Sequence, residues 1–291
     1  LSVPPWPSDD HPHDQGGNRE EIQENCLNME KKPLVILTGP TAVGKTALSI
    51  ALAHRLNGEI ISADSMQVYR HMDIGSAKIR PEEMDGVLHH LVDVLEPEET
   101  FNVVTFQQMA KAAMEGIYKR GHVPVLVGGT GFYIQAIVND IDFTEQEDDN
   151  SFRKACEARA AAGEGDALYQ ELVRLDPKAA EEIHPHNIKR VIRALEFHHQ
   201  TGQQISAHNE EQKKRTSPYN FAYFVLNDDR ARLYERIDKR VDQMLLNGLE
   251  AEVRSLLAMG CTRDMVAMQG LGYKEMIDYL QGVCTLDDAV Y

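Results

Sequence analysis

A parallel β-sheet with helices on both faces, carrying an inserted all-helical segment, is the fold that this sequence predicts. Three observations carry the prediction. Short apolar runs alternate with helical periodicity from Pro33 to about Asn139, the pattern then turns helical only, and a late apolar run at 221–226 returns the chain to the sheet. Strands alternating with helices imply parallel pairing, because each crossover helix must lie on a sheet face.

Leu34-Val-Ile-Leu-Thr38 is a continuous apolar run, the signature of a strand buried on both faces. Helical spacing follows from about Lys45 to Leu56, then a second strand at 59–63, Glu-Ile-Ile-Ser-Ala, ending at Asp64-Ser65. Leu91-Val-Asp-Val-Leu95 predicts a third strand, Val103–Arg120 a long helix, and His122–Val127 a fourth strand. That strand runs into Gly128-Gly-Thr-Gly131 and another helix. A polar connector is expected at 141–150, where Asp142, Glu145, Glu147, Asp148 and Asp149 leave nothing to bury. Helices are predicted at Phe152–Ala162, Asp166–Leu175 and Ile188–His199, with Gly202 as a stop and Glu210–Pro218 as a charged linker. Phe221–Leu226 reads as the returning strand, and helices follow from Arg230. The implied organisation is a body of residues 31–141 and 218–291 with a helical insertion at 142–217. Residues 1–30, rich in Pro, Asp, His and Gly, predict a disordered leader. Met29 directly precedes the first strand region, so a non-native origin for residues 1–28 is an open alternative; His11-x-His13 within them is a weak metal pattern.

With 291 residues, 42% of them hydrophobic, the chain can bury a sizeable core without a disulfide or a metal. Cys26, Cys156, Cys261 and Cys284 never form a C-x-x-C pair, which argues against a structural zinc site and suits a reducing cytoplasm. No apolar run approaches a membrane span, so no membrane partner is expected. The net charge of −16 disfavours a nucleic-acid partner when taken as a sum. Locally the balance reverses. Between Lys189 and Arg240 stand 11 Lys/Arg against seven Asp/Glu, Lys213, Lys214 and Arg215 among them. A nucleic-acid stripe and ordinary solvated helix faces both fit that window.

Gly39-Pro-Thr-Ala-Val-Gly-Lys-Thr46 has the G-x-x-x-x-G-K-T spacing between a strand and a helix, which places the sheet in the P-loop NTPase-like class. Backbone N–H groups of Gly39, Pro40's successors Thr41, Ala42 and Val43, and Gly44 can close around phosphate oxygens at a helix N-terminus. Lys45 adds a full charge, and the Thr46 hydroxyl is placed to hold Mg²⁺. Asp64, just past the second strand, belongs at the carboxyl edge of the sheet where ligands bind, as a general base or as an N-cap. Gly128–Gly131 repeats the strand–turn–helix pattern on the same edge. No apolar run ends in an obvious Walker-B Asp, which favours a small-molecule kinase or a transferase over a motor ATPase or GTPase. Arg232, Arg236 and Arg240 stand at i, i+4 and i+8 of one helix. They form either a phosphate clamp or a face paired with Glu235 and Asp238.

Taken together, Gly39–Thr46, the stretch Ile61-Ser-Ala-Asp-Ser-Met-Gln-Val-Tyr-Arg-x-Met-Asp-Ile-Gly-Ser-Ala-Lys78 and Val127-Gly-Gly-Thr130 resemble the bacterial tRNA dimethylallyltransferase (isopentenyltransferase) family. So do Ile183-His-Pro-x-Asn187, Lys189-Arg190-x-x-Arg193-Ala-Leu-Glu196, Leu233-Tyr-Glu-Arg-Ile-x-x-Arg240 and Gly270-Leu-Gly-Tyr-Lys-Glu275. The resemblance implies transfer of a dimethylallyl group from dimethylallyl diphosphate to N6 of adenosine 37, in tRNAs that read codons beginning with U. It implies that Lys45, Thr46 with Mg²⁺, the P-loop amides and Arg240 stabilise the departing diphosphate, while Asp64 orients the amine and takes its proton. It also implies base flipping, and an insertion that grips the anticodon stem-loop. By the same resemblance Asp64, Ser65, Met66, Gln67, Thr130, Arg153, Lys189, Arg190, Val191, Ile192, Arg193, Gln269, Gly270, Leu271, Gly272, Tyr273 and Lys274 lie near tRNA. The family continues past the equivalent of Tyr291 into a further helical stretch, and a cytoplasmic monomer is expected. Competing expectations are an adenylate isopentenyltransferase acting on free nucleotide, a P-loop kinase for a small metabolite, and a non-enzymatic RNA-binding module.

Overall fold

The computed structural model describes residues 31–143 and 151–290, the side chains of Lys213 and Lys214 excepted. The expectations for residues 1–30, for 144–150 of the connector and for the Lys213–Lys214 part of the basic stretch fall outside these residues.

Five strands form one sheet: β1 Lys32–Thr38, β2 Gly58–Ser62, β3 His89–His90, β4 Val123–Gly128 and β5 Tyr219–Val225, in the order β3-β2-β4-β1-β5. The β1–β4, β2–β3 and β2–β4 pairings are parallel, with Val35 opposite Val125 and Ile61 opposite Leu126. Leu34, Ile36, Leu37, Ile60, Ile61, Val125 and Leu126 are buried, as continuous apolar runs in a sheet covered on both faces require. Helix α1 (Lys45–Leu56) covers one face, where Ala53 packs with Ile60, Val87 and Val125. Helices α2 (Val103–Lys119) and α3 (Gly131–Val138) cover the other, and Phe106 of α2 stacks on Tyr133 of α3 with centroids 4.4 Å apart. Asn102 caps α2 by accepting from Val104 N and Thr105 N, a cap worth about 1 kcal/mol.

Four helices follow: α4 (Ser151–Ala161), α5 (Gly165–Leu175), α6 (Pro177–Glu182) and α7 (Ile188–Thr201). They bury an apolar cluster of their own, Cys156, Leu168, Leu172, Ala179, Ala180, Val191, Ile192, Ala194 and Leu195. The i, i+1, i+3, i+4 spacing of the last four puts them on one stripe of α7. Helix α8 spans Ile205–Lys214. After β5 come α9 (Arg230–Leu246), α10 (Leu249–Ala258), α11 (Tyr273–Leu280) and α12 (Leu286–Val290). Leu249, Val253 and Leu256 of α10 and Tyr273, Met276 and Ile277 of α11 join the main core beside Ile36, Ile61 and Leu126. The described residues from Pro33 onward hold together as one compact unit. Among the described residues no helix is long and apolar enough to cross a membrane.

Two expectations are corrected. Residues 91–95 are not a strand. Leu91 and Asp93 both take left-handed backbone (φ 62°), which a strand does not tolerate, and the third strand is the short His89–His90 just before. The 93–95 segment instead donates its N–H groups to Gln67 O and Val68 O, lying against the loop beyond β2. The linker expected at Glu210–Pro218 is helical as far as Lys214. Within that stretch Gln212 is buried and its Oε1 accepts from Asp142 N at 3.4 Å, while the start of the helix is anchored by Ser206, whose N and Oγ donate to the buried Asp176 carboxylate at 2.9 and 2.6 Å.

Candidate functional site

Strand β1 ends at Thr38 and α1 begins at Lys45, so Gly39–Gly44 is the connecting loop. Gly39 has φ +149°, and a Cβ there would lie 2.5 Å from Leu226 O, so only glycine lets the loop start against the end of β5. Gly44 occupies the N-cap of α1 in left-handed backbone, which leaves the N–H groups of the first turn free of any side-chain cap. The Lys45 ammonium folds back over the loop, donating to Gly39 O at 2.8 Å and Pro40 O at 2.7 Å. Both partners are neutral carbonyls, which a phosphate oxygen outcompetes. Thr46 is exposed at the start of the helix.

Asp64 follows β2 by two residues, and its Oδ1 accepts from Met66 N at 2.8 Å and Gln67 N at 3.2 Å. That turn fixes the carboxylate at the carboxyl edge of the sheet. The N-cap alternative is partly right, in that Asp64 organises a turn rather than a helix. Arg240 of α9 completes the group. Burial lowers the Lys45 pKa, the Asp64 charge opposes that shift, and the Arg240 charge adds to it. Burial likewise lowers Arg240, and Asp64 opposes it. One carboxylate and two cations thus share a single electrostatic neighbourhood beside the loop, although they come from positions far apart in the chain.

The arginine row of α9 divides its labour. Arg236 donates to Ala42 O of the loop at 3.0 Å and to Asp228, and Arg232 pairs with Asp228 at 3.5 Å. The row is not paired with Glu235 and Asp238 as the solvated-face reading expects: Arg232 and Arg236 both turn to Asp228, while Glu235 pairs with Lys239. Two of its members are paired, and Arg240 lies half-buried within electrostatic reach of Asp64. The Arg236 strap on the P-loop and its Asp228 anchor were not predicted from spacing, because Asn227-Asp228-Asp229 reads as an ordinary helix start.

The remaining predicted residues fall into two groups. Ser65, Met66 and Gln67 lie in the Asp64 turn, and Thr130 is the N-cap position of α3 on the same sheet edge. Gly270 leans on that turn, since a Cβ there would meet Met66 Sδ at 2.5 Å. Gln269 and Leu271 beside it are exposed, and Gly272 and Lys274 partly so. In the helical segment Lys189 and Arg190 are exposed at the start of α7. Arg153 of α4 and Arg193 of α7 both donate to Glu196 Oε2, at 2.6 and 3.3 Å, and Glu196 is itself 1% exposed. Two guanidiniums on one carboxylate leave a net positive charge there. The side chains of Val191, Ile192 and Tyr273 are buried in the core, so nearness of these positions to tRNA would be through their backbone and their exposed neighbours. Among the described residues no group of three or more His, Cys, Asp or Glu could hold a metal ion. The Thr46 hydroxyl at the start of α1 and the Asp64 carboxylate in the same electrostatic neighbourhood form a sparse oxygen set, which suits a cation carried largely by substrate phosphates.

A G-x-x-x-x-G-K-T loop between a parallel strand and a helix, with a carboxylate and a second, half-buried cation in its electrostatic neighbourhood, defines a P-loop enzyme. Residues 67–291 match the family model described as IPP transferase. The chain belongs to the IPP transferase family of enzymes. It is similar to the tRNA dimethylallyltransferase of Lachnoclostridium phytofermentans, 61% identical over 260 residues that cover 89% of this chain and 83% of that one. It is 49% identical to the protein of the same name from Carboxydothermus hydrogenoformans, over 89% of this chain and 83% of that one. Among solved structures it is similar to the full-length tRNA isopentenylpyrophosphate transferase of Bacillus halodurans, with TM-score 0.65, 47% identity and coverage of 90% of this chain and 81% of that one. It is also similar to a eukaryotic dimethylallyltransferase acting on tRNA, with TM-score 0.77, 32% identity and coverage of 89% and 65%.

Proposed function

We propose that this enzyme transfers a dimethylallyl group from dimethylallyl diphosphate to N6 of an adenosine in tRNA, at position 37 of tRNAs reading codons that begin with U. The observation that carries the reading is the convergence of Asp64, Lys45 and Arg240 beside the P-loop. In the transfer the N6 amine forms a bond to C1 of the allyl group, the C1–O bond to diphosphate breaks, and the amine loses a proton. Asp64 is held by two backbone N–H groups with its second oxygen left to accept that proton. Lys45 and Arg240 meet the negative charge that builds on the leaving oxygen, and the loop amides add their dipoles. A divalent cation, Mg²⁺, would be held by the Thr46 hydroxyl together with diphosphate oxygens, and when bound it neutralises leaving-group charge. No phosphoryl group moves.

The division into a body and an insertion at 142–217 belongs to the same proposal. Its support is the separate apolar cluster of the inserted helices and the exposed Lys189 and Arg190 at one end of α7. In this reading Lys189, Arg190, Arg193 and Arg153 contact anticodon stem-loop phosphates, while Ser65, Met66, Gln67, Thr130, Gln269, Leu271 and Lys274 surround the flipped base. A local basic patch then serves a chain of net charge −16. Incubation with donor labelled in the allyl group, Mg²⁺ and either total tRNA or AMP separates this reading from its rivals. Label entering tRNA but not AMP is expected. Label in AMP, or loss of the γ-phosphate from ATP in place of allyl transfer, overturns the reading.

A further inference from the structure

Residues Asp73-Ile-Gly-Ser-Ala-Lys78 form part of the sequence signature, yet no step above employs them. They lie in a turned segment beyond β2, held from both sides. On one side stands Glu252 of α10, whose Oε2 accepts from Asp73 N at 2.9 Å and Ile74 N at 2.7 Å. Its Oε1 accepts from Gly75 N at 3.1 Å and from the Tyr273 hydroxyl at 2.7 Å. A helix carboxylate thus collects three consecutive backbone N–H groups from a segment 177 to 179 residues earlier in the chain. Tyr273 is fully buried, and its ring lies so close that a Cβ on Gly75 would be 2.6 Å from its Cζ. Burial, with the Glu252 carboxylate beside it, pushes the Tyr273 phenol up, so the hydroxyl remains a donor.

On the other side the same segment holds Gln67. The Gln67 Nε2 group donates to Ser76 O at 3.4 Å and Ala77 O at 3.3 Å, and its Oε1 accepts from Ser62 Oγ at 3.3 Å. Gln67 N is one of the two donors that fix Asp64 Oδ1. Lys78 closes the far end, donating to Tyr69 O and Asp73 Oδ1 at 2.6 Å and to Asp93 Oδ1 at 2.8 Å. The contacts run without a gap from Glu252 through residues 73–77 and Gln67 to Asp64.

We infer that Glu252 and Tyr273 are a positioning pair for the transfer reaction: they lock the 73–77 segment, and through it the Gln67 amide and the Asp64 carboxylate. The inference rests on the proposed function of the Asp64 site. It gives Tyr273 a task compatible with its burial, and it accounts for an otherwise unexplained charged group in the core-facing side of α10. The side-chain amide introduced by Glu252→Gln would offer one acceptor oxygen where the carboxylate offers two. Either the Asp73/Ile74 pair or the Gly75/Tyr273 pair would then face an NH₂ group, and the segment would lose its fixed register.

The test compares Glu252→Gln and Tyr273→Phe with the unmodified chain in allyl transfer to tRNA at saturating donor. Amide exchange of the 73–78 segment is followed in parallel. Misplacing a base by about 1 Å costs on the order of 10²-fold, so kcat for Glu252→Gln is expected to fall by about that factor. The KM for dimethylallyl diphosphate is expected to stay unchanged, since the P-loop contacts are untouched, and exchange at 73–75 to accelerate. Tyr273→Phe, which keeps the ring against Gly75, is expected to show a smaller kcat loss with the same unchanged KM. If Glu252→Gln fails to fold, the Tyr273→Phe split decides. Wild-type kcat in the variant that folds, or a donor KM that rises in step with the kcat loss, overturns the positioning role alone. No transfer by an unmodified chain that binds donor overturns the functional reading and the positioning role with it.

Discussion

Replacing Asp64 by Asn and by Ala separates the two tasks that the carboxylate performs. Oδ1 accepts from Met66 N and Gln67 N, and an Asn side chain can present an oxygen at the same place. The turn should therefore survive in Asp64→Asn. Asp64→Ala removes both acceptors, and at about 0.5–1.5 kcal/mol net per bond it should destabilise the fold by roughly 1–3 kcal/mol. Neither variant can accept the N6 proton. A positioned general base contributes about 10²–10⁴ in rate, equivalent to roughly 3–5 kcal/mol of barrier. Both variants should thus lose that factor in kcat. Donor binding should behave oppositely, because Asp64 is a negative charge beside Lys45 and Arg240. Removing it takes away a like charge from the path of a diphosphate, so donor affinity should hold or improve. Single-turnover transfer to tRNA, titration of donor binding, and thermal unfolding of the three proteins supply the comparison. Turnover retained in Asp64→Asn, or donor affinity lost in proportion to turnover, refutes the base assignment.

Further expectations follow from other parts of the molecule. Glu59, 2% exposed, accepts from both Nε and Nη2 of Arg120 and is bonded to His90 and His122, and the Arg120 bonds first among these hold its carboxyl at about 2, against 4.5 unperturbed. A depressed folded-state value stabilises the fold above pH 4.5, by on the order of 3 kcal/mol, and this is lost as pH falls from 4.5 through 2. Glu59→Gln should flatten stability across that window in acid unfolding, and an unchanged acid profile would contradict the assignment. Gly39→Ala sets a Cβ 2.5 Å from Leu226 O in backbone that L-residues avoid, so it should cost about 1–3 kcal/mol and abolish tight donor binding; an unaltered donor affinity would refute the fit of the loop. Lys189→Gln and Arg190→Gln should each weaken tRNA binding and reduce its salt slope by about 0.7–0.9 while leaving donor KM alone, as measured by titration at several salt concentrations; salt slopes equal to the unmodified chain would remove α7 from the tRNA interface.

The body of the fold was legible where local chemistry and tertiary demand agree. The continuous runs at 34–38 and 122–127 can only be buried strands, and G-x-x-x-x-G-K-T names its own loop and helix, whose predicted span of Lys45–Leu56 matches α1. Residues 91–95 misled because Leu-Val-Asp-Val-Leu alternates like a strand, whereas left-handed backbone at Leu91 and Asp93 turns it onto the loop at 67–68. Helix α6 carries little periodicity in six residues and depends on the Asp176 cap, which also secures α8 through Ser206. The cradle and Asp64 were visible because their spacing is local. Arg236 on Ala42 and Glu252 on Asp73–Gly75 were not, since each contact spans more than 170 residues and no local spacing names the distant partner, even though the arginine row itself stood out. Val191, Ile192 and Tyr273 sit between exposed or half-exposed neighbours, so a contiguous stretch could be placed near a surface while its own alternation assigned these side chains to the core.

The central claim is that the diphosphate is the leaving group and a tRNA adenosine the acceptor. Locating the product tests it most directly. An anticodon stem-loop with A37 is incubated with the enzyme, Mg²⁺ and dimethylallyl diphosphate, digested to nucleosides and fragments, and analysed by mass spectrometry with release of diphosphate followed in parallel. One N6-dimethylallyladenosine at position 37 for each diphosphate released is the predicted result. Modification at another nucleotide, or a phosphorylated product without an allyl group, would contradict it.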